Sequence, residues 1–292
     1  VWSGGTAGAR EPAVPGGLKE VRNMKKKNEA FVPKKNEPRG AYILHALEDH
    51  FLNGDAYTTD DEAIHICMQA AHGISYRQLR SDMDYLVSIG KLVFEGSRLY
   101  LAKTKRYEDF AAKELAEILP NNNLDTETST IEISGGVRLN ELQQAAIQMA
   151  CSHRVSMILG GAGSGKTTLV NALTEKYFKD RTLVLAAPTG KAAQNLREHG
   201  CCGARTVHSA LGKTPNEDFL SPVRWATIRM VVVDEASMLS IEMLAGILCK
   251  MPATCSLVLI GDPNQLGSVG SGNVIPDLLE LGFPVTRLTQ QY

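Results

Sequence analysis

The sequence MILGGAGSGKTT at positions 157–168 decides how this chain folds. An apolar run leads into a glycine-rich turn, and the residues that follow, TLVNAL at 168–173, have the spacing of a helix. The turn fits the pattern G-x-x-x-x-G-K-[ST]. Its glycines allow backbone angles that aim successive N–H groups at one anion, and the helix adds its positive end. An ordinary glycine-rich turn is the alternative, but the strand before it and the helix after it favour a phosphate site.

Each residue type in this turn has an expected role in holding a nucleoside triphosphate. Lys166 would reach the β- and γ-phosphates, and the Thr167 hydroxyl would hold a magnesium ion. The backbone around them would wrap the phosphates. We therefore predict that the chain binds ATP with Mg2+. The residues expected to bind the nucleotide in this turn are Gly160, Gly161, Ala162, Gly163, Ser164, Gly165, Lys166, Thr167 and Thr168.

Two further apolar runs end in polar residues that suit the same chemistry. In MVVVDE, Asp234 is placed to hold the magnesium ion, and Glu235 is placed to orient and deprotonate an attacking water. In LIGDPNQL, Gln265 could touch the γ-phosphate or that water. Considered separately, the Asp-Glu pair could simply cap the next helix, and the Gly-Asp-Pro-Asn segment could be an ordinary turn. Following a phosphate loop, they predict Lys166, Glu235 and Gln265 as the catalytic residues.

A glutamine and two polar loops complete the candidate site. Gln143 lies near the start of a helix before the first core strand, and its amide could read the edge of adenine because it both donates and accepts hydrogen bonds. Thr189 and Lys191 in APTGKAA open another helix and could hold a polynucleotide phosphate, and His208 in TVHS offers a further contact. By themselves these signals are weak, since many helices begin with glutamine and a lone histidine is more often structural.

Strand and helix signals alternate from about residue 136 onwards. The strands are continuous apolar runs, which is typical of a parallel sheet covered by helices on both faces. Right-handed crossovers would bring the carboxyl ends of the strands, and with them the candidate residues, to one edge. We therefore predict an α/β fold. Its expected strands are 156–159, 182–186, 230–233, 256–260 and 285–288, and its expected helices are 139–150, 168–179, 191–198 and 241–249.

Residues 41–120 have a different pattern, with three short helices, a hairpin and a longer helix. Three helices and a two-stranded wing make a winged helix, whose third helix would present Tyr76, Arg77 and Arg80 to a major groove. Acidic residues on the same helix reduce its positive charge, so we favour a packing module beside the larger domain. The expected helices are 41–53, 59–71, 75–89 and 104–119, and the expected strands are 92–95 and 98–101.

The segments 1–40 and 121–135 have no apolar periodicity. The first holds nine lysines and arginines against four glutamates and is rich in glycine and proline, so we expect a disordered basic tail. Its lysines could touch nucleic acid, although a solvated tail is the simpler explanation. The second segment is polar and is expected to be a linker. Because Lys19-Glu20-Val21 back-translates to a ribosome-binding-like sequence, we expect the natural product to begin at Met24.

The composition is that of an ordinary globular protein. The 292 residues are 43% hydrophobic and 22% charged, enough for two domains with real cores, and a net charge of −1 does not decide whether nucleic acid is a partner. The six cysteines show no C-x-x-C pair and no zinc spacing, so we expect reduced thiols. No apolar run approaches about 18 residues and there is no signal-peptide core, so we expect a cytoplasmic protein with no membrane partner.

Five segments together resemble a known family. GGAGSGKTT, AAPTGKAAQ, ARTVHSALG, VVVDEASM and LIGDPNQL follow the order of the motor motifs of RecD-like superfamily 1 helicases, the exonuclease V alpha-subunit type. The similarity covers about residues 136–292, and 41–120 is similar to the domain that precedes the motor in longer bacterial members. The resemblance implies a first RecA-like motor domain at 136–292. It further implies ATP-driven 5′-to-3′ translocation on single-stranded DNA, with unwinding, in recombination and repair, beside nuclease or repair subunits.

The resemblance also assigns roles to residues. Gln143 would lie at the adenine, and Thr189, Lys191 and His208 would line the DNA track. Residues 212–229 occupy the place of a small hairpin that helps to split the duplex, although a simple surface hairpin is equally compatible with them. The alternatives are a conjugation-type helicase motor, a non-hydrolysing P-loop DNA-binding switch, and a scaffold in a multi-subunit nuclease.

The sequence departs from the family pattern after Tyr292. The family places an arginine finger directly after this tyrosine and a second RecA-like domain beyond it, and neither is in the sequence. Such fingers contribute about 10³–10⁵ in rate where they have been measured. We therefore expect these 292 residues alone to bind nucleotide weakly and to hydrolyse it barely, if at all.

Overall fold

The structure is a computed structural model that describes residues 38–71, 73–124, 139–178, 182–213, 217–220, 225–265 and 270–290. Most of the predicted basic tail and residues 125–135 of the predicted linker lie outside these ranges. Within them, no helix is both long enough and apolar enough to cross a membrane.

The first part of the chain folds into helices around a small antiparallel sheet. The elements are α1 (Ala41–Phe51), β1 (Thr58–Thr59), α2 (Asp60–Ala70), α3 (Tyr76–Ser88), β2 (Leu92–Glu95), β3 (Arg98–Leu101) and α4 (Ala102–Ile118). Strand β3 lies between β1 and β2 and is antiparallel to both. The sequence pattern predicts all of these except the two-residue β1. Their order agrees with a winged helix, and that identification stays a prediction.

Side-chain caps fix where two of these helices begin. The Thr59 hydroxyl accepts a hydrogen bond from the Glu62 N–H at the start of α2, and the Ser75 hydroxyl accepts one from the Gln78 N–H at the start of α3. Three acidic residues in the first turn of α2 interact favourably with the positive end of the helix dipole and so stabilise the helix. At the hairpin, Gly96 takes a φ of 60°, which costs a glycine little.

The third helix carries a buried carboxylate, Asp82, that is fully engaged inside this part of the chain. Asp82 accepts hydrogen bonds from Arg39 Nε at 2.7 Å, Gln78 Nε2 at 2.9 Å and the Tyr42 hydroxyl at 3.1 Å. Burial raises the pKa of Asp82, but these donors outweigh it, and the pKa is lowered from its ordinary value. Arg80 is also engaged, because its guanidinium lies 2.7 Å from both oxygens of Asp60.

The second part of the chain alternates strands and helices. The elements are α5 (Glu141–Ser152), β4 (Val155–Gly160), α6 (Lys166–Phe178), β5 (Leu183–Ala187), α7 (Gly190–Glu198), β6 (Arg205–Thr206), α8 (Val207–Leu211), β7 (Met230–Val233), α9 (Ile241–Lys250), β8 (Ser256–Gly261), α10 (Val274–Glu280) and β9 (Val285–Leu288). The strands form one sheet in the order β6-β5-β7-β8-β4-β9, and every neighbouring pair is parallel. The short β6, α8 and α10 are not predicted by the sequence pattern.

Both faces of this sheet are buried, which explains why its strands are continuous apolar runs. Successive residues point to opposite faces, so Leu159 and Val233 enter one core while Ile158 and Val232 enter the other. Helices α4 and α9 cover the first face, and α5, α6 and α7 cover the second. This is the predicted α/β class with a RecA-like parallel sheet, and that prediction is confirmed.

Helix α4 follows the hairpin in sequence but packs on the large sheet. Its buried residues Tyr107, Ala111, Leu115 and Ile118 share one core with α9 and with strands β4, β5, β7 and β8. The predicted domain boundary at residue 120 therefore assigns α4 to the first part of the chain, although the apolar face of this helix packs in the core of the second part.

The start of the predicted linker is also bonded to the large sheet. Asn122 is buried, and its side chain exchanges two hydrogen bonds with the backbone of Val155, at 2.8 and 3.0 Å. The N–H groups of Leu124 and Arg154 add backbone bonds of 2.7 Å to Ser152 and Asn122. Residues 121–124 thus extend the second part of the chain, because a buried amide can satisfy both backbone groups of one strand residue.

Candidate functional site

Four neighbouring strands of the large sheet end at one edge. Lying side by side in the order β5, β7, β8 and β4, they end at Ala187, Val233, Gly261 and Gly160. Because they are parallel, the four polar segments that follow them start next to each other. The candidate residues that lie far apart in the sequence are therefore brought to a single edge, as the sequence pattern predicts.

The turn after β4 has the geometry of a phosphate loop. Gly163 and Gly165 take φ values of 75° and 83°, which favour glycine. A Cβ on Gly160 would collide with the Ser164 hydroxyl and approach the Cβ of Leu288 to 3.0 Å, so the backbone there has no room for a side chain. The buried Ser164 hydroxyl donates to the Gly161 carbonyl at 2.8 Å and holds the turn closed.

Lys166 begins α6 and folds back over the turn. Its Nζ donates to the carbonyl oxygens of Gly160 at 2.5 Å and Gly161 at 2.8 Å. The ammonium is therefore held at the mouth of the loop, where phosphate oxygens can replace the two carbonyls as its acceptors. Thr167, the next residue, is exposed in the first turn of the same helix.

Asp234 follows β7 and is the carboxylate at this edge that burial affects most. Burial raises its pKa to about 6, the charge of Glu235 adds to the rise, and Lys166 and a hydrogen bond from the Glu235 backbone oppose it. The Asp234 N–H bonds to the carbonyl of Ala186, which fixes the backbone of Asp234 beside β5. A half-buried carboxylate with so little neutralisation suits a cation-binding position.

Glu235 holds a strained backbone conformation. Its φ is 53°, and in the described part of the chain it is the one residue other than glycine with a positive φ. The left-handed region costs a residue with a Cβ about 1 kcal/mol or more. Such strain is typical of residues whose side chain must be aimed in one direction.

The ends of β7 and β8 are tied together. The Ser237 hydroxyl donates to the backbone carbonyl of Asp262 at 2.8 Å, and a Cβ on Gly261 would lie 2.8 Å from that hydroxyl. The Asp262 carboxylate accepts from the Asn264 N–H at 2.9 Å, and the Gln265 N–H bonds to the Asp262 carbonyl. This turn leaves the Gln265 side chain exposed, and its contact with phosphate or water stays a prediction.

The donors at this edge fit a magnesium ion held together with phosphates. Mg2+ prefers oxygen ligands and is usually bound by one or two carboxylates, waters and substrate phosphates rather than by a protein cage. Asp234 and the Thr167 hydroxyl are donors of this kind. In the residues that the structure describes, no group of three or more histidine, cysteine, aspartate or glutamate side chains is arranged to hold a metal by itself.

Gln143 lies at the start of α5 in a capping box. The Asn140 side chain accepts from the Gln143 N–H at 2.7 Å, and Gln143 Oε1 accepts from the Asn140 N–H at 3.1 Å. The amide oxygen of Gln143 thus already has a donor, and its expected contact with adenine stays a prediction. The pattern N-x-x-Q at positions 140–143 is the signal from which this cap could have been predicted.

The three residues expected along the DNA track follow two neighbouring strands. Thr189 caps α7, accepting from the Ala192 N–H at 3.2 Å, and Lys191 is exposed in its first turn. The parallel pairing of β5 with β6 brings the start of α8, which carries His208, to the same sheet edge as the start of α7. His208 is half-buried, and the edge of its ring packs on Phe219. Burial first, and then the charge of Lys103, lowers the pKa of His208.

Comparison with known proteins identifies the larger part of the chain. The AAA domain family matches residues 138–292. The chain belongs to this family. Family membership implies the use of a nucleotide.

Two relatives support the resemblance that the motifs indicated. The RecBCD enzyme subunit RecD of Mycolicibacterium smegmatis is 37% identical over 169 residues, which are 48% of this chain and 30% of that protein. The ATP-dependent RecD2 DNA helicase of Deinococcus radiodurans is 30% identical over 199 residues, 67% of this chain and 28% of that protein. The chain thus spans less than a third of the length of either relative. Its resemblance to RecD-like helicases is confirmed.

A solved structure of Pif1 helicase from Candida albicans also matches the chain. It is 23% identical, the match covers 53% of this chain and 40% of that one, and the TM-score is 0.40.

Sequence patterns alone missed a hydrogen bond within the site, made by Ser237, and a long-range hydrogen bond, made by Tyr107. Ser237 joins the ends of β7 and β8, and its position just after the Asp-Glu pair was the available signal. Tyr107 bonds to Asp218, 111 residues further along the chain, and no pattern in the sequence connects the two.

Proposed function

We propose that this protein is the nucleotide-binding part of an ATP-dependent DNA helicase that translocates 5′-to-3′ on single-stranded DNA in recombination and repair. The observation that carries the proposal is the shared edge of β4, β5, β7 and β8. There, a phosphate loop and the half-buried carboxylate of Asp234 share the sheet edge with two helix starts that carry Thr189, Lys191 and His208. The names of the two relatives, a subunit of the RecBCD enzyme and an ATP-dependent DNA helicase, support it.

In this proposal the chain's own residues prepare the γ-phosphate for attack by water. Lys166 leaves the carbonyls of Gly160 and Gly161 for the β- and γ-phosphate oxygens. Asp234 and Thr167 would hold the magnesium ion, which when bound would neutralise charge on the phosphates. Glu235 accepts the proton of the attacking water, and its backbone strain serves to aim the carboxylate. Gln265 contacts the same water or the γ-phosphate.

A hydrogen bond between the ends of β7 and β8 links two parts of the proposed ATP site. Ser237 joins the segment that carries Asp234 and Glu235 to the segment that carries Gln265. Movement at Gln265 on loss of the γ-phosphate would therefore reach the segment that carries the two carboxylates. In this proposal Thr189, Lys191 and His208 bind the phosphates of the single strand, and nuclease or repair subunits are the protein partners.

The test measures ATP binding and single-stranded DNA binding separately, and then hydrolysis. The 292-residue chain is titrated with a fluorescent ATP analogue and with labelled oligo-dT, and ATP hydrolysis is followed in this chain and in the product of the complete reading frame. We expect Lys166→Ala to abolish nucleotide binding and Lys191→Ala to weaken DNA binding only. Nucleotide binding without hydrolysis in either protein would favour a P-loop switch and overturn the helicase proposal.

A further inference from the structure

Helix α4 holds the segment 217–220 through the hydroxyl of Tyr107. This hydroxyl donates to Asp218 Oδ1 at 3.1 Å and accepts from the Phe219 N–H at 3.0 Å. The guanidinium of Arg106 lies 2.8 Å from the other oxygen of Asp218, and the Leu220 N–H donates to Asp218 Oδ1 at 3.0 Å. Two consecutive residues of α4 thus fix the position of one carboxylate and of the backbone on both sides of Phe219.

The ring of Phe219 packs between Tyr107 and His208 and so connects them. Its ring is 1% exposed, and it meets Tyr107 edge-to-face at 6.0 Å on one side and His208 at 5.2 Å on the other. Gly246 in α9 leaves the room that Phe219 needs, because a Cβ there would lie 3.0 Å from its ring. The three rings form a continuous packed path from α4 to the first turn of α8.

Charged groups of α4, α9 and segment 217–220 form two ion pairs in this region, and Lys103 is the member whose charge acts on His208. Lys103 lies on α4 and pairs with Glu242 of α9 at 3.6 Å, and Arg106 and Asp218 form the ion pair beside Tyr107. Burial and Lys103 keep the pKa of His208 below the ordinary value of 6.5. Burial of the ring and the positive charge of Lys103 both favour the neutral form of His208.

We infer that Tyr107 and Asp218 are positioning residues for His208, so that the helix which follows the hairpin of the N-terminal part helps to build the DNA track. The inference rests on the proposed function, because it takes His208 as a DNA contact. Tyr107 itself is buried and touches no DNA. Its effect passes through the Asp218 bond and the Phe219 ring.

The test compares two Tyr→Phe substitutions, each of which removes a hydrogen bond from a buried hydroxyl to an aspartate. Tyr107→Phe removes a buried hydroxyl that donates to an aspartate at 3.1 Å, and Tyr42→Phe removes another that donates to Asp82 at 3.1 Å. Affinity for fluorescein-labelled oligo-dT is measured by anisotropy, together with affinity for an ATP analogue. We expect Tyr107→Phe to weaken DNA binding about three- to tenfold, in line with the loss of one or two hydrogen bonds. We expect Tyr42→Phe to leave DNA binding unchanged, and both variants to keep nucleotide binding.

A double-mutant cycle shows whether Tyr107 acts through His208. In a chain that already carries His208→Ala, Tyr107→Phe should have no further effect on DNA affinity. Equal losses in both backgrounds would overturn the inference. Asp218→Asn is the second variant if Tyr107→Phe does not fold, and the same non-additivity with His208→Ala is expected from it.

The pH profile separates positioning from general loss of stability. Protonation of His208 adds a positive charge, so DNA affinity of the natural chain should rise as the pH falls through its lowered pKa. With Tyr107→Phe the ring is less closely packed, and the rise should begin at a higher pH. An unchanged midpoint would overturn the inference.

Two single variants separate failure of the inference from failure of the proposed function. If Lys191→Ala weakens DNA binding while His208→Ala does not, the inference fails and the proposed function stands. If neither has an effect, the proposed function fails as well.

Discussion

Asp82 in α3 is buried and Asp234 after β7 is half-buried, and their surroundings shift their pKa values in opposite directions. Asp82 accepts hydrogen bonds from Arg39, Gln78 and Tyr42, and its pKa is lowered despite burial. Burial raises the pKa of Asp234 to about 6, and Lys166 opposes the rise without cancelling it. The Asp82 carboxylate has its partners inside the fold, whereas the Asp234 carboxylate is only partly neutralised by its surroundings, as we expect of a proposed ligand of the magnesium ion.

The difference shows how to separate a structural carboxylate from a functional one. Removing a charge that is paired inside the fold costs stability, because its donors are left without an acceptor. Removing a buried charge that has few partners relieves a desolvation cost, and what is lost is binding or chemistry. Each of the two aspartates should therefore be sensitive in one kind of experiment and insensitive in the other.

The largest effect is expected from Glu235, the neighbour of Asp234. Glu235→Gln keeps the size of the side chain but removes the base, so ATP hydrolysis by the product of the complete reading frame should fall about 10²–10⁴-fold. Nucleotide affinity should stay within a few-fold. The assay is phosphate release with and without single-stranded DNA, and Glu280→Gln on the surface of α10 is the control. Full hydrolysis in Glu235→Gln would remove this residue from the mechanism.

Asp234→Asn tests the functional side of the comparison. If Asp234 is a ligand of the magnesium ion, its neutralisation should lower the affinity for Mg2+ in the presence of an ATP analogue at least about tenfold. The free energy of unfolding should stay the same or increase, because the half-buried carboxylate carries a desolvation cost. Mg2+ titrations and urea denaturation of the same two proteins check both halves. A clear loss of stability without any change in Mg2+ dependence would mean that Asp234 is a structural residue.

Asp82→Asn tests the structural side. The side chain keeps its shape but loses its charge, so its bonds with Arg39 and Tyr42 weaken and the free energy of unfolding should drop by about 1–3 kcal/mol. ATP-analogue binding should not change. Asp84→Asn, an exposed residue of the same helix, is the control and should stay within about 0.5 kcal/mol of the natural chain. Urea denaturation at pH 7 measures both, and equal stability of all three proteins would contradict the assignment.

The smallest effect concerns pH and has a definite sign. Because the pKa of Asp82 is lower in the folded chain than its ordinary value of 3.8, its stabilising effect is present above that value and is lost as the pH falls through the folded pKa. The stability difference between the natural chain and Asp82→Asn should therefore shrink as the pH falls below about 4. Denaturation curves at several pH values between neutrality and the acid limit of folding measure it. A difference that grows in acid would contradict the lowered pKa.

The parts of the fold that follow local rules could be predicted from the sequence. The phosphate loop, the continuous apolar strands, the Ser75 cap and the hairpin at Gly96 each depend on residues within a few positions of one another. The closeness of Lys166 and Asp234 was also predictable, since parallel strands bring their carboxyl ends to one edge.

Contacts between distant segments could not be predicted in the same way. The amphipathic pattern of α4 shows that one face is buried but not against which core, so its packing on α9 was not expected. The Tyr107 bond to Asp218 and the Asn122 bonds to Val155 join residues that no periodicity relates. The capping box at Gln143 is a different case. The sequence pattern around Gln143 is compatible both with a helix cap and with a contact to adenine, and both would use the same side-chain amide.

The docking of α4 and Asn122 has a consequence for a chain that is cut. The contacts of Asn122 and the core contacts of α4 are non-covalent, and they join residues before 125 to residues after 138. A single proteolytic nick anywhere between residues 125 and 138 would yield two pieces by denaturing electrophoresis and one particle by gel filtration. The non-covalent contacts of α4 and Asn122 with the large sheet would therefore keep the two pieces associated after the peptide bond between them is cleaved.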